Sequence, residues 1–297
     1  MIKIFRLLAL LLAAPLCSNA QAETDTTVEN ALLWQITGND IKTPSYLYGT
    51  IQAFCKEDIS LTQNVKDKIS AADKIFLVRD PGLTEGPENH GISKKYFSPG
   101  YSVKFLIGDK NFYKAVTIIN KYRPVAEDTL NRLSLGVFRY VINESYLGCD
   151  IGSYDFAIAG FARSLDKKIN ELDEVPDNLR SISVWEVFDR GIPQFVEQYW
   201  NNLDYDLWLL KRNAYLYTQE NSTALYLNAA YKANGQPQAS KERMFDERNY
   251  NWAQIINRNI KRKTCFFAFS AAHLAGSKGV IALLRKKGYT VTPLPIK

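Results

Sequence analysis

Segments with β-strand character sit at the two ends of this chain and a long stretch of helical periodicity lies between them, a division that narrows the choice of fold more than any other feature. Leu32–Thr37 and Ser45–Ile51 are rich in β-formers and flank Gly38, Asn39, Asp40 and Pro44, a pattern that predicts a hairpin. Thr62 is placed to cap a polar helix reaching about Ala72, and Lys74–Val78 is a short apolar run of buried-strand type. Residues 81–99, full of Gly, Pro and Ser, read as a loop, with a role as an active-site rim open to them. Apolar residues then recur at helical spacing over Phe112–Tyr122, Glu127–Tyr146, Tyr154–Leu165 and Ile192–Tyr217, with Lys168–Leu172 as a strand between helices and a further helix over Arg243–Lys261. A strand at Cys265–Phe269, a helix over Lys278–Lys287 stopped by Gly288, and a strand at Thr290–Leu294 close the chain. A lone pair of strands is marginal, so the two ends are expected to pair. The expected class is α/β (α+β): a mixed central sheet from residues 31–80 and 264–295, with a helical insertion at 105–262.

The first residues have the grammar of an export signal. Lys3 and Arg6 precede the apolar run from Leu7 to Leu16, and Ala20-Gln21-Ala22 offers small residues for cleavage after Ala22, or after Ala20. The run is about ten residues, roughly half of what spans a ~30 Å hydrocarbon core. Leu16 before Cys17 is too bulky for a lipoprotein signal. A periplasmic or secreted protein of residues 23–297 is therefore expected, with no membrane span once the leader is gone. Losing residues 1–22 takes Lys3 and Arg6 from the 37 basic residues, leaving 35 against 31 acids, so the net charge falls from +6 to about +4. The basic residues scatter through helices without forming a run, which gives no nucleic-acid footprint. With 46% hydrophobic and 12% aromatic residues the chain can build a sizeable core. Cys55, Cys149 and Cys265 remain after the leader. In an oxidising compartment one disulfide can form, and Cys55 with Cys149 is the preferred pair because both lie in loop-like surroundings; three buried thiols are the other reading.

The end segments also carry motifs. Leu33-Trp-Gln-Ile-Thr-Gly38, Pro44-Ser-Tyr-Leu-Tyr-Gly-Thr-Ile51 and Cys55-Lys-Glu-Asp58 stand at the front; Arg248-Asn249, Trp252, Phe269-Ser-Ala-Ala-His-Leu-Ala-Gly276, Gly279-Val-Ile-Ala-Leu-Leu284 and Gly288-Tyr-Thr-Val-Thr-Pro293 stand at the back. Together they resemble the TraB/GumN (Tiki-like) family, and Asp155 with Glu171-Leu172-Asp173 fits its middle. The resemblance implies a mixed sheet with inserted helices and, in members assigned activity, a metal-dependent peptidase. Their metal site uses two Gly-x-x-His motifs and a strand glutamate.

This sequence departs from that pattern. Its first motif reads Gly49-Thr-Ile-Gln52, Val78 stands where the strand glutamate is expected with Asp80 two residues on, and the second motif reads Ser270-Ala-Ala-His273. A catalytic transition-metal site needs imidazole, thiolate or carboxylate donors, usually three from the protein. Gln52 offers only a neutral amide and Val78 nothing, and the mature chain has just His90 and His273. His273 on an apolar strand end reads first as a hydrogen-bonded core histidine. A Ser270–His273 nucleophile pair lacks the strained elbow such serines need. Asp80 and Arg79 read as a solvated rim pair, with polar-ligand binding as the alternative. Asp155 and Asp173 read as helix-capping or packing positions, and the aromatic stretch of Tyr199, Trp200, Tyr205, Trp208, Tyr215 and Tyr217 as core, with a peptide-binding groove the alternative. The expectation is a degenerate centre at Gly49, Gln52, Val78, Asp80, Ser270 and His273, without a cofactor, on a protein that binds a peptide, a protein or a small polar ligand. The rival is a working hydrolase holding a divalent ion such as Mn, Co or Zn at Asp80 and His273.

Overall fold

The computed structural model describes residues 29–83, 102–173, 200–234 and 242–296. The expected hairpin forms: β1 (Leu33–Thr37) pairs antiparallel with β2 (Ser45–Thr50), with Leu33 opposite Tyr48 and Ile36 opposite Ser45. Its turn carries Gly38, Asn39 and Asp40 at positive φ, residue types that tolerate the left-handed region. A two-residue strand β3 (Phe54–Cys55), helix α1 (Gln63–Ala71) and strand β4 (Lys74–Leu77) follow.

The helical insertion comprises α2 (Val103–Tyr122), α3 (Glu127–Arg132), α4 (Leu135–Leu147), a two-residue β5 (Ile151–Gly152), α5 (Tyr154–Ser164), β6 (Ile169–Glu171), α6 (Leu203–Thr218) and α7 (Ser222–Asn234). It differs from the periodicity reading in several ways. The first helix begins at Val103, capped by the Ser102 hydroxyl and broken by Gly108 at φ 76, so the apolar spacing becomes continuous only beyond the break. The stretch 127–146 is two helices, because Ser134 turns extended and accepts the Val137 amide, starting a new one. Helix α7, rich in Ala and Asn, had no apolar stripe strong enough to be read. The expected start at Ile192 lies outside the described residues.

The chain closes with a π-helical turn at Glu242–Asp246, α8 (Glu247–Ile260), β7 (Cys265–Ser270), a 3-10 turn at Ala271–His273, α9 (Val280–Lys286) and β8 (Thr290–Leu294). The two ends pair as expected, in a mixed six-stranded sheet of order β6-β4-β7-β2-β1-β8. The run β6, β4, β7, β2 is parallel, and β1 and β8 complete it antiparallel. The central strands β2 and β7 are buried on both faces, which explains their unalternating sequences Ser-Tyr-Leu-Tyr-Gly-Thr and Cys-Phe-Phe-Ala-Phe-Ser. Edge strand β8 is mostly exposed and carries Pro293, which cannot donate to a further strand.

Buried side chains from the sheet, α1, α5, α8 and α9 form one core, with Trp34 and Trp252 among its largest members. A second cluster, including Phe112, Phe138, Trp200 and Leu203, joins α2, α3, α4 and the start of α6. The aromatic stretch of the insertion divides: Trp200 and Tyr217 are buried, whereas Tyr205, Trp208 and Tyr215 are exposed, so the core reading is corrected for those three, and Tyr199 lies outside the described residues. The preferred disulfide is present. Cys55 of β3 is bonded to Cys149 with Cα atoms 5.5 Å apart, beside the small antiparallel β3–β5 pair, and Cys265 is a buried free thiol.

Candidate functional site

The carboxyl ends of the four parallel strands emerge on one side, where α/β sheets tend to place their sites. The segments there hold the six residues of the expected centre, with Gly49–Gln52 at the end of β2, Val78–Asp80 after β4 and Ser270–His273 at the end of β7, beside Glu171–Asp173 at the end of β6.

His273 is 5% exposed. Asn249 of α8 donates from Nδ2 to Lys278 O (2.9 Å), which turns its Oδ1 toward the imidazole. His273 Nδ1 lies 2.7 Å from that oxygen, so Nδ1 carries the proton and Nε2 the lone pair. Phe245 and Trp252 pack on the ring, with centroids 4.9 and 4.7 Å away. Burial, with the Arg248 charge adding to it, pushes the imidazole pKa down to about 3, so the ring is neutral at ordinary pH. Asp173 ties the outside of this cluster together. It accepts from Trp252 Nε1 (2.8 Å) and from Arg248 Nη2 (2.8 Å), whose guanidinium lies 4.6 Å from the centre of the Trp252 ring. Arg248, Asn249 and Trp252 reach the same place because positions three and four apart share a helix face. Arg248, Asn249 and Trp252 carried a motif but no chemistry in the sequence and Phe245 carried neither, while Asp173 packs here through its bonds to Trp252 and Arg248.

Asp80 belongs to a different arrangement. Its Oδ1 accepts from Gly82 N (2.9 Å) and from the Arg163 guanidinium of α5, and its amide donates to Glu171 Oε1 (3.0 Å). Its side chain is 16% exposed, so the solvated-rim reading is corrected: the carboxylate is held by Arg163. No hydrogen bond or ion pair joins Asp80 to His273. Gln52 is exposed, Val78 is partly buried against the core, and Ser270 makes no hydrogen bond to His273. His90 lies outside the described residues.

Gly49 has a packing reason that needs no ligand motif. A Cβ there would lie 2.7 Å from Leu274 Cδ1 and 2.9 Å from Ala271 Cβ, and its carbonyl accepts from the hydroxyl of buried Tyr217 (2.9 Å). Next to it, Thr50 Oγ1 and Asp155 Oδ1 are both buried without a well-formed hydrogen bond. Ser153, not Asp155, caps α5, and its hydroxyl donates to Asp155 Oδ2 (3.2 Å). Burial raises the Asp155 pKa from 3.8 to about 6, against the pull of the Thr50 and Ser153 hydroxyls.

A raised folded-state pKa means the native protein holds this proton more tightly than the unfolded chain. The associated stability is complete below about pH 4 and is lost as pH rises through about 6. Asp155→Asn is therefore expected to flatten that window and to stabilise the protein at pH 7 by up to about 3 kcal/mol. Denaturant midpoints of both proteins between pH 4 and 7 check this, and parallel curves would sink it.

Elsewhere, an open groove of about 540 Å³ lies among α2, α4 and α6, lined by Lys114, Lys121, Tyr146 and Asp204, away from these strand ends. Among the described residues no helix is long and apolar enough to cross a membrane. No curated protein and no solved structure matches the chain. The model of the TraB/PrgY/gumN family, however, matches residues 32–293, from the strand that opens the sheet to the strand that closes it. The chain belongs to the TraB/PrgY/gumN family.

Proposed function

We propose that this chain is an exported binding protein whose metallopeptidase centre has degenerated, and that it takes a peptide, a protein or a small polar ligand at the carboxyl ends of its parallel strands. The observation that carries the reading is the setting of His273, the one histidine kept from the ligand pattern that the resemblance implies. It is enclosed by Asn249, Phe245 and Trp252, while Gln52 points to solvent, Val78 has no donor atom and Asp80 is neutralised by Arg163. This donor set does not fit a catalytic transition-metal ion, which needs convergent imidazole or carboxylate groups.

The test is thermal. A metal at 100 times its dissociation constant stabilises a native state by about 2.7 kcal/mol. Adding Mn, Co or Zn to the chelator-treated protein is expected to leave its melting temperature unchanged, whereas Gln52→His/Val78→Glu is expected to gain a metal-dependent rise. A rise in the unaltered protein that disappears in His273→Ala would overturn the reading.

One observation favours a second reading, a hydrolase with a weakened site at Asp80 and His273. Asn249 fixes the imidazole with its Nε2 lone pair free, the orientation that outer hydrogen bonds impose on metal-binding histidines. Peptide cleavage abolished by a chelator would decide for it.

A further inference from the structure

Five basic residues that lie far apart along the sequence converge on one pole of the molecule. The amino ends of the parallel strands open there, opposite the His273 cluster, and hydrogen bonds join the segments into one surface. Asn39 Nδ2 donates to Lys287 O (3.0 Å), Thr264 Oγ1 to Thr43 Oγ1 (2.8 Å), Thr264 N to Asp73 Oδ2 (2.9 Å) and Lys167 Nζ to Ala72 O (2.5 Å). The β1–β2 turn is thus flanked by the ends of α9 and α8, and the ends of α8, α1 and α5 follow one another. These segments expose Lys42, Lys168, Lys261, Arg262 and Lys263 against three exposed acids, Asp40, Asp73 and Asp166. None of the five cations is in an ion pair among the described residues.

Cations after a helix complement its dipole, which accounts for one or two at the end of α8. It does not account for Lys42 and Lys168, which lie outside the helices, nor for all five gathering with few acids. We infer that this pole docks on an anionic phospholipid surface. Charge complementarity selects the lipid headgroup phosphates, and Leu165, an exposed apolar side chain at the end of α5, is placed to enter the headgroup boundary. A single-stranded nucleic acid would call for aromatic side chains on which bases stack, and none of the exposed aromatic residues lies in these segments. Docked this way, the protein turns its candidate site toward the aqueous phase. The inference does not depend on whether that site binds or hydrolyses.

Each basic residue near an anionic surface strengthens binding roughly fivefold. The purified chain is expected to sediment with vesicles containing phosphatidylglycerol and not with phosphatidylcholine alone, and binding is expected to fall steeply with salt. Lys42→Gln/Lys261→Gln/Lys263→Gln should weaken it roughly 100-fold, while Lys110→Gln/Lys121→Gln/Lys211→Gln, with the same net charge, should retain it. Equal losses in the two triple variants, displacement by millimolar inorganic phosphate, or binding to a polyanion such as heparin without binding to vesicles would each overturn the proposal. Amide hydrogen exchange on the vesicle should slow at residues 38–44 and 261–264, and slowing at 271–279 instead would overturn the orientation.

Discussion

Replacing Cys55 and Cys149 together by serine is expected to cost about 4 kcal/mol of stability. The bond closes a loop of 94 residues, and cross-linking removes about that much chain entropy from the unfolded state. It also ties two weak pieces. Strands β3 and β5 are two residues long, too short to hold α2, α3 and α4 against the sheet unaided. Cys149 follows Gly148, whose left-handed conformation (φ 75) ends α4 and delivers the thiol to β3. Cys265 does not compete for either partner, because burial pushes its thiol up to about 12 and exchange needs a thiolate. Denaturant titration of the double variant under non-reducing conditions measures the loss. A change below about 1 kcal/mol would mean that the insertion is secured by its packing and not by the bond.

Trp252→Ala is expected to be as damaging, at about 4 kcal/mol. The indole is 1% exposed, lies with its centroid 5.2 Å from that of Phe269, covers the His273 ring and donates to Asp173. Truncation leaves a cavity and strips a donor from a carboxylate that also holds Arg248. A second readout separates the site from the core: water entering beside His273 should raise its titration midpoint from about 3 toward 6.5, followed by NMR of the ring protons. Trp252→Phe keeps most of the apolar volume, so it should fold even if the alanine variant does not, and should leave that midpoint low. An alanine variant with near-normal stability and an unmoved midpoint would show that this indole does not seal the imidazole.

Much of the sheet was legible because its signals are local. Leu33–Thr37 and Ser45–Thr50 are bounded by turn residues, Lys74–Leu77 and Cys265–Ser270 are continuous apolar runs, and Gly288 stops the last helix. The insertion was read less well. A single capping serine, Ser134, divides what periodicity joins, and α7 has too little apolar contrast to announce itself. Of the candidate site, Gly49, Gln52, Val78, Asp80, Ser270 and His273 could be placed at the strand ends from motif and order, but not their partners. Arg163 lies 83 positions from Asp80, and Asp173 lies 79 from Trp252, so no local pattern could pair them.

By itself the sequence determined the six segments that form the main sheet, that the two ends of the chain must meet, and that Val78 has no donor atom to offer a metal, because backbone preference and donor chemistry belong to each residue. Only the tertiary structure decided that Asn249 and Trp252 enclose His273, that Arg163 neutralises Asp80, and that cations dispersed over more than 200 positions of chain share one pole. The reason is physical: electrostatics, desolvation and hydrogen bonding depend on distance in space, and that distance is set by how the six strands are ordered in the sheet.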